Sequence, residues 1–214
     1  MNQTFDDREE AGRKLAAHLE RYAGRPEVLV LALPRGGVPV AREIARALHA
    51  PLDVLVVRKL GLPGDEELAM GAVTFGGLRV LNPAVIAGYR VPKKVFERVA
   101  IRETRELERR ETVYRAGRPP PVVRGRTVIL VDDGVATGST MSVAVAAMRD
   151  AHAGRVIVAA PVMARESYLE LREKAEEVVT LQIPKAFGAV GAFYSDFHQT
   201  SDGEVCKLLA LPTV

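Results

Sequence analysis

Cysteine occurs once in this 214-residue chain, tryptophan not at all, and aromatic residues make up only 5% of it. The lone Cys206 excludes an internal disulfide and suits a reducing compartment. No apolar stretch approaches the roughly 20 residues that a membrane-spanning helix needs, so a soluble chain is expected. Neither sign of charge dominates: Lys+Arg 30 against Asp+Glu 27 leaves +3, too little to argue for nucleic acid as a partner. The opening "MNQTFDDREEAGRK" lacks the basic start and apolar run of an export signal, so a cytoplasmic location is expected. Repeats and low-complexity tracts are missing too. What is present, 48% hydrophobic residues, is enough for a sizeable core.

Apolar periodicity divides the chain into alternating elements. Leu15, Leu19 and Tyr22 predict an amphipathic helix over 5–23 behind a Thr4 N-cap, ended by Gly24 and Pro26. The branched run at 27–33 reads as a strand buried on both faces, those at 52–57, 127–132 and 155–161 as short apolar strands, and 178–183 as the last strand. Helical stretches at 39–49, 139–152 and 165–176 lie between them. Strands alternating with helices imply right-handed crossovers, hence an α/β fold with an open, mostly parallel five-stranded sheet flanked by helices.

Two stretches interrupt the alternation. Residues 61–82 place Gly76 and Gly77 between apolar runs, a signal for a β-hairpin. Residues 91–117 predict a long helix, ended by Gly117 and the prolines 119–121. Arginines and glutamates mingle along it, as on a solvated or subunit-facing helix. The chain is thus read as a single domain, 1–214: a core at about 25–60 and 122–183, an excursion at about 58–82, the long helix at about 92–116, and a C-terminal hood at about 184–214 with a final helix near Ser201.

The chemistry concentrates in "VILVDDGVATGST", residues 128–140. A buried strand ends in Asp132 and Asp133, then Ala136, Thr137, Gly138, Ser139 and Thr140 open a helix. Approachable N–H groups, hydroxyls and the positive helix end together make a phosphate cradle. A P-loop is ruled out because no lysine follows Gly138, and a dinucleotide fingerprint because the first strand ends in "LPRGGVPV". Two adjacent acids repel each other and a phosphate, so they ask for a hydroxyl-rich partner or a metal ion.

The stretch resembles the phosphoribosyl pyrophosphate (PRPP) motif of type I phosphoribosyltransferases. That resemblance implies ribose hydroxyls on Asp132 and Asp133, and the 5-phosphate on Ala136 to Thr140. "PRGG" looks like the family's pyrophosphate loop, with Arg35, Gly36 and Gly37 as contacts and a cis peptide expected at Pro34–Arg35. "VRKLGLPGDEELAMGAV" looks like its mobile catalytic loop, a flexible hairpin in which Arg58 and Lys59 face pyrophosphate. Displacing pyrophosphate builds negative charge on the leaving group, which Mg2+ would neutralise, held mainly through substrate and water near Asp132 and Asp133.

Ala136 stands where 6-oxopurine enzymes carry a third acid, so the resemblance fixes no base. For the acceptor, the tail supplies Phe187, Phe193, Tyr194 and Phe197 as rings and Asp196, His198 or Gln199 as hydrogen-bonding groups; Cys206 reads as a small buried hydrophobe. "LALPRGGVPVA", "VRKLGLPGDEELAMGAV" and "FYSDFHQTSDGEV" resemble a branch of phosphoribosyltransferase-domain proteins sometimes fused to hydrolase-like domains. The implied activity is magnesium-dependent phosphoribosyl transfer between pyrophosphate and a nitrogenous base. The alternative is a non-catalytic PRPP-sensing regulator on the same fold. The resemblance also implies a homodimer, with the long helix as an interface element.

Overall fold

The structure, a computed structural model, describes residues 4–74 and 77–212. Helix α1 (Arg8–Ala17) opens at Asp7, whose side chain accepts the Glu10 N–H at 2.7 Å. Asp7 therefore takes the capping role expected of Thr4. Phe5 bridges Tyr194, so the first described residues run extended against the tail, and a 3-10 turn at Glu20–Tyr22 replaces the end of the expected helix. Strand β1 (Val28–Ala32), α2 (Gly37–Leu48) and β2 (Leu52–Val54) follow.

The excursion differs from a single hairpin. β3 (Val57–Leu62), β4 (Asp65–Thr74) and β5 (Leu78–Leu81) form a three-stranded antiparallel sheet of their own. Pro63 and Gly64 make the first turn, and Thr74 faces Leu78 across the second pairing; Gly76 lies outside the described residues. Leu60, Met70 and Val73 are buried in the core, and the Thr74 hydroxyl donates to the Val56 carbonyl at 2.8 Å. The body of this sheet is thus anchored by packing, while the tip at 63–66 and the side chains of Lys59, Arg79 and Leu81 are exposed.

Two helices then cross back, α3 (Pro83–Gly88), too short for periodicity to reveal, and α4 (Lys93–Arg115). Ala116 and Gly117, at φ 49° and 79°, end α4 in the left-handed region. Outward, α4 exposes Arg98, Ile101, Arg102, Arg105 and Arg109. Inward, Arg115 binds Asp53 at 3.0 Å and the Val54 carbonyl at 2.9 Å, fixing the helix to the sheet edge.

The chain returns through β6 (Thr127–Val131), α5 (Ser139–Asp150), β7 (Arg155–Val162), α6 (Arg165–Lys174) and β8 (Glu177–Gln182), and ends in α7 (Asp202–Ala210). All five core strands are parallel, in the order β2-β1-β6-β7-β8. The central strands β1 and β6 are buried on both faces: Val28, Val30, Ile129 and Val131 join the cluster that holds residues of α1, α2 and α4, while Leu29, Leu31, Val128 and Leu130 join the one with α5 and α6; the edge strand β8 is mostly half-buried. Each fully buried leucine of this kind contributes roughly 1.5–3 kcal/mol. From β1 the chain moves outward to β2, then returns to the other side of β1 as β6. The loops leaving β1 and β6 therefore diverge, opening a crevice at their carboxyl ends.

Candidate functional site

The crevice is closed at its floor by backbone. Leu33 donates its N–H to the Val131 carbonyl at 2.8 Å, carrying the β1–β6 pairing one residue past the strands. The peptide Pro34–Arg35 is cis, as expected. Two glycines follow, and both are dictated by close approach: a Cβ on Gly36 would lie 2.1 Å from Asp133 Oδ2, and one on Gly37 would lie 2.6 Å from the Val131 carbonyl oxygen. Their first role is therefore to let the β1–α2 loop pack directly on the acid pair.

Asp132 and Asp133 are partly buried at the end of β6. The Asp132 carboxylate accepts the Asp133 N–H at 2.9 Å. Burial, reinforced by the charge of Asp133, pushes the Asp132 carboxyl well above its ordinary value. Burial also raises Asp133, but Arg8 opposes that shift, its Nε donating to Oδ2 at 2.8 Å. Tyr194 donates its hydroxyl to the Asp133 carbonyl at 2.6 Å, and burial pushes that phenol up.

Beyond the acids the loop is open. Ala136, Thr137, Ser139 and Thr140 are exposed, and the Thr137 and Ser139 hydroxyls lie 3.2 Å apart. Gly138 alone is buried; it starts α5 at φ 72°, where a side chain would be strained and would also press on Ser167. Ser167 in turn donates its hydroxyl to the Ala136 carbonyl at 2.5 Å, bracing the loop from below. The positive end of α5 faces the crevice.

A cleft of about 330 Å³ joins Asp133, Arg35 and Gly36 to Arg8, Phe197, Gln199 and Thr200. Arg35 is also within 3.6 Å of Asp202 at the start of α7. Arg58 and Lys59 lie elsewhere, in a cleft of about 230 Å³ with Gly61, Glu66, Arg102 and Glu103. The Arg58 guanidinium binds Glu103 there, with Nη2 at 2.5 Å. So the structure packs the glycine loop on the acids, with the open turn 136–140 next in the chain, and sets the two basic residues of the excursion apart.

The hood requires a correction. Phe193 and Tyr194 are 5% and 6% exposed, packed with Phe5 and Val162, and have no free face to stack on a planar ring. The Phe5 backbone exchanges hydrogen bonds with Phe193 and Ser195, so this part of the tail is internal core. Phe187 packs against the same cluster. Asp196 is exposed and binds the His198 ring, which it and Glu204 raise above its ordinary value. Phe197, 37% exposed, is the aromatic that borders the cleft, stacked on Tyr194 with centroids 5.1 Å apart. Arg8, absent from the sequence-based set, fills the space between Phe197 and Asp133. Cys206 is partly buried, its thiol 3.4 Å from the Val113 carbonyl.

Among the described residues no group of three or more His, Cys, Asp and Glu is arranged to hold a metal ion. The acid pair is nonetheless a suitable partial donor set for an oxygen-preferring cation, because its two crowded carboxylates lack a full counter-charge. No helix among the described residues is long and apolar enough to cross a membrane.

A five-stranded parallel sheet, a side sheet after the second strand, and an acid pair feeding a helix start at the switch point define a class: α/β proteins of the type I phosphoribosyltransferase kind. The chain belongs to the phosphoribosyl transferase domain family, which matches residues 3–198. Two Mycobacterium tuberculosis relatives, each named "Putative phosphoribosyl transferase", are 46% identical over 205 residues, which are 96% of this chain and 46% of theirs. The chain thus spans about half the length of these curated relatives. The crystal structure of TT1426 from Thermus thermophilus superposes with a TM-score of 0.85 at 44% identity, covering 97% of this chain and 98% of that one. The AQ2163 protein from Aquifex aeolicus shares the fold, with a TM-score of 0.53 at 14% identity over 86% of this chain and 78% of its own.

Proposed function

We propose that the protein is a magnesium-dependent phosphoribosyltransferase, moving the 5-phosphoribosyl group of PRPP between pyrophosphate and a nitrogenous base. The observation that carries this reading is the junction, at one switch point, of a paired acid, an open hydroxyl-bearing helix start and a glycine loop bearing Arg35. Asp132 and Asp133 accept hydrogen bonds from the ribose hydroxyls. Thr137, Ser139 and Thr140, with the backbone of Ala136 and Gly138, hold the 5-phosphate at the positive end of α5. Arg35 and the backbone of Gly36 and Gly37 face the pyrophosphate, and Arg58 and Lys59 add positive charge to it as it leaves. Phe197 offers a ring edge or face to a planar acceptor.

Magnesium would be held by Asp132 and Asp133 together with substrate and water oxygens, and when bound it supplies positive charge to the leaving diphosphate. The protein's own groups do the positioning, which carries much of the rate where the reacting bond breaks by dissociation. Binding labelled PRPP with magnesium and a panel of bases tests the reading. A transferase releases pyrophosphate and forms a nucleotide with at least one base. PRPP binding without turnover on any base overturns the transferase and leaves a PRPP-sensing regulator; no PRPP binding overturns both.

A further inference from the structure

We propose that Arg8 is a positioning residue for Asp133, fixing the diol-holding carboxylate from behind through the N-terminal helix and the tail. The inference rests on the reading of Asp133 as a ribose ligand. Arg8 is 8% exposed, unusual for arginine. Nε donates to Asp133 Oδ2 at 2.8 Å and Nη1 to the His198 carbonyl at 2.8 Å, while the guanidinium carbon stands 3.9 Å from the centre of the Phe197 ring. One side chain thus touches the acid, the backbone of the tail and the aromatic that borders the cleft.

A purely structural role, pinning the tail to α1, does not account for this arrangement. The tail is already docked without Arg8: Phe5 N–H donates to the Phe193 carbonyl, and Ser195 and Asp196 donate to Phe5 and Asp6. Phe5, Phe193 and Tyr194 are buried together beneath that pairing. Beyond its contacts to Phe197 and the His198 carbonyl, Arg8 makes one that tail docking does not call for, the bond to Asp133. Gly36 lies on the same carboxylate, so near that a Cβ there would stand 2.1 Å from Oδ2. The carboxylate thus lies between a glycine backbone and a guanidinium, with Oδ2 held by the Arg8 Nε–H. Arg8 also offsets one of the two adjacent negative charges, without which the pair would splay by mutual repulsion and oppose an incoming polyanion.

The test reads recognition of the hydroxyls, which a structural tie would not alter. Equilibrium binding of ribose 5-phosphate and 2-deoxyribose 5-phosphate is measured, with magnesium, on the wild type, Arg8→Met and Arg8→Lys, alongside melting temperatures. The wild type is expected to favour ribose 5-phosphate by roughly tenfold, the equivalent of one well-made hydrogen bond to a charged group. Arg8→Met is expected to bring that preference to about twofold or less, and Arg8→Lys, which keeps the charge but not the fork, to an intermediate value. Wild-type preference retained in Arg8→Met overturns the role of Arg8 alone. If Arg8→Met does not fold, wild-type preference in Arg8→Lys does the same. A wild type that binds neither sugar, or binds both equally, overturns the ribose assignment of the acids and this inference with it.

Discussion

The two halves of the site are built in opposite ways. Around Asp132 and Asp133 the groups are wedged: a glycine backbone, a buried arginine and a tyrosine hydroxyl hold the acids before any ligand arrives. Around Arg58 and Lys59 the groups ride on a separate antiparallel sheet, in a different cleft, with Arg58 turned to Glu103. On the proposed function, the difference divides the work: recognition is assembled in the parallel core, whereas the charge that assists departure of the diphosphate would have to be brought in. Groups already in place contribute to binding; groups that arrive later contribute to the transition state.

Removing the wedged acids is the strongest way to test this division. Asp132→Asn combined with Asp133→Asn is expected to lower PRPP affinity by roughly 100-fold or more, since two charge-assisted hydrogen bonds are lost. Calorimetric titration measures it, and circular dichroism should report an unchanged fold; wild-type affinity would refute the ribose assignment. Gly36→Ala attacks the same half through its backbone. Its Cβ must displace the Asp133 carboxylate, so affinity is expected to fall about tenfold or more. Gly188→Ala is the control, because a Cβ there meets nothing within 4 Å.

Arg58→Ala probes the other half. Turnover with a competent base is expected to fall about tenfold to 100-fold while PRPP affinity stays within about threefold, the signature of a contact made in the transition state. An equal loss in affinity would place Arg58 in the preassembled half after all. Single-turnover kinetics beside equilibrium binding separates the two outcomes.

The same contrast explains what the sequence reveals. The five strands and the motif 128–140 are legible because burial on both faces leaves continuous branched runs, and because a phosphate cradle needs its small residues in sequence. Gly36 and Gly37 are legible as a loop, but their contact with the distant Asp132 and Asp133 has no local signature. Arg8 is hidden for the same reason: in "TFDDREE" it reads as one charge among several, and its partners lie 125 and 190 positions away. Phe193 and Tyr194 look like ring platforms until Phe5 is seen to pair with them. The antiparallel sheet is half legible, as its glycines mark turns but not how many strands they join.

Holding the acids ready has a cost in stability, and Asp132→Asn exposes it. The raised value of Asp132 means that its penalty is absent below the unfolded-state value near 3.8 and grows as pH rises through the folded-state value. In chelator at about pH 7.5, the variant is expected to unfold at higher denaturant concentration, by about 1–2 kcal/mol, because the amide keeps the bond to the Asp133 N–H without a buried charge. The gain should shrink toward about pH 4, where the native acid is already neutral. A variant less stable at both pH values would mean that the charge is compensated, and the wedge would then be a source of stability.

His198 marks the outer edge of the wedged half, where the smallest effect is expected. Its ring faces Asp196 at 3.1 Å and Glu204 at 3.4 Å, both in solvent, and its value is raised first by the bond to Asp196. A raised histidine stabilises the fold below its unfolded value of about 6.5 and loses that contribution as pH rises through its folded value. Full exposure lets water and salt screen the pair, so the titration should move while the unfolding midpoint stays within its scatter. Proton resonance is expected to place the wild-type midpoint above about 6.5 and to bring it down in Asp196→Asn, with PRPP affinity unchanged in the variant. Affinity that followed the His198 titration would extend the wedged half outward through the His198 carbonyl, the group that anchors Arg8.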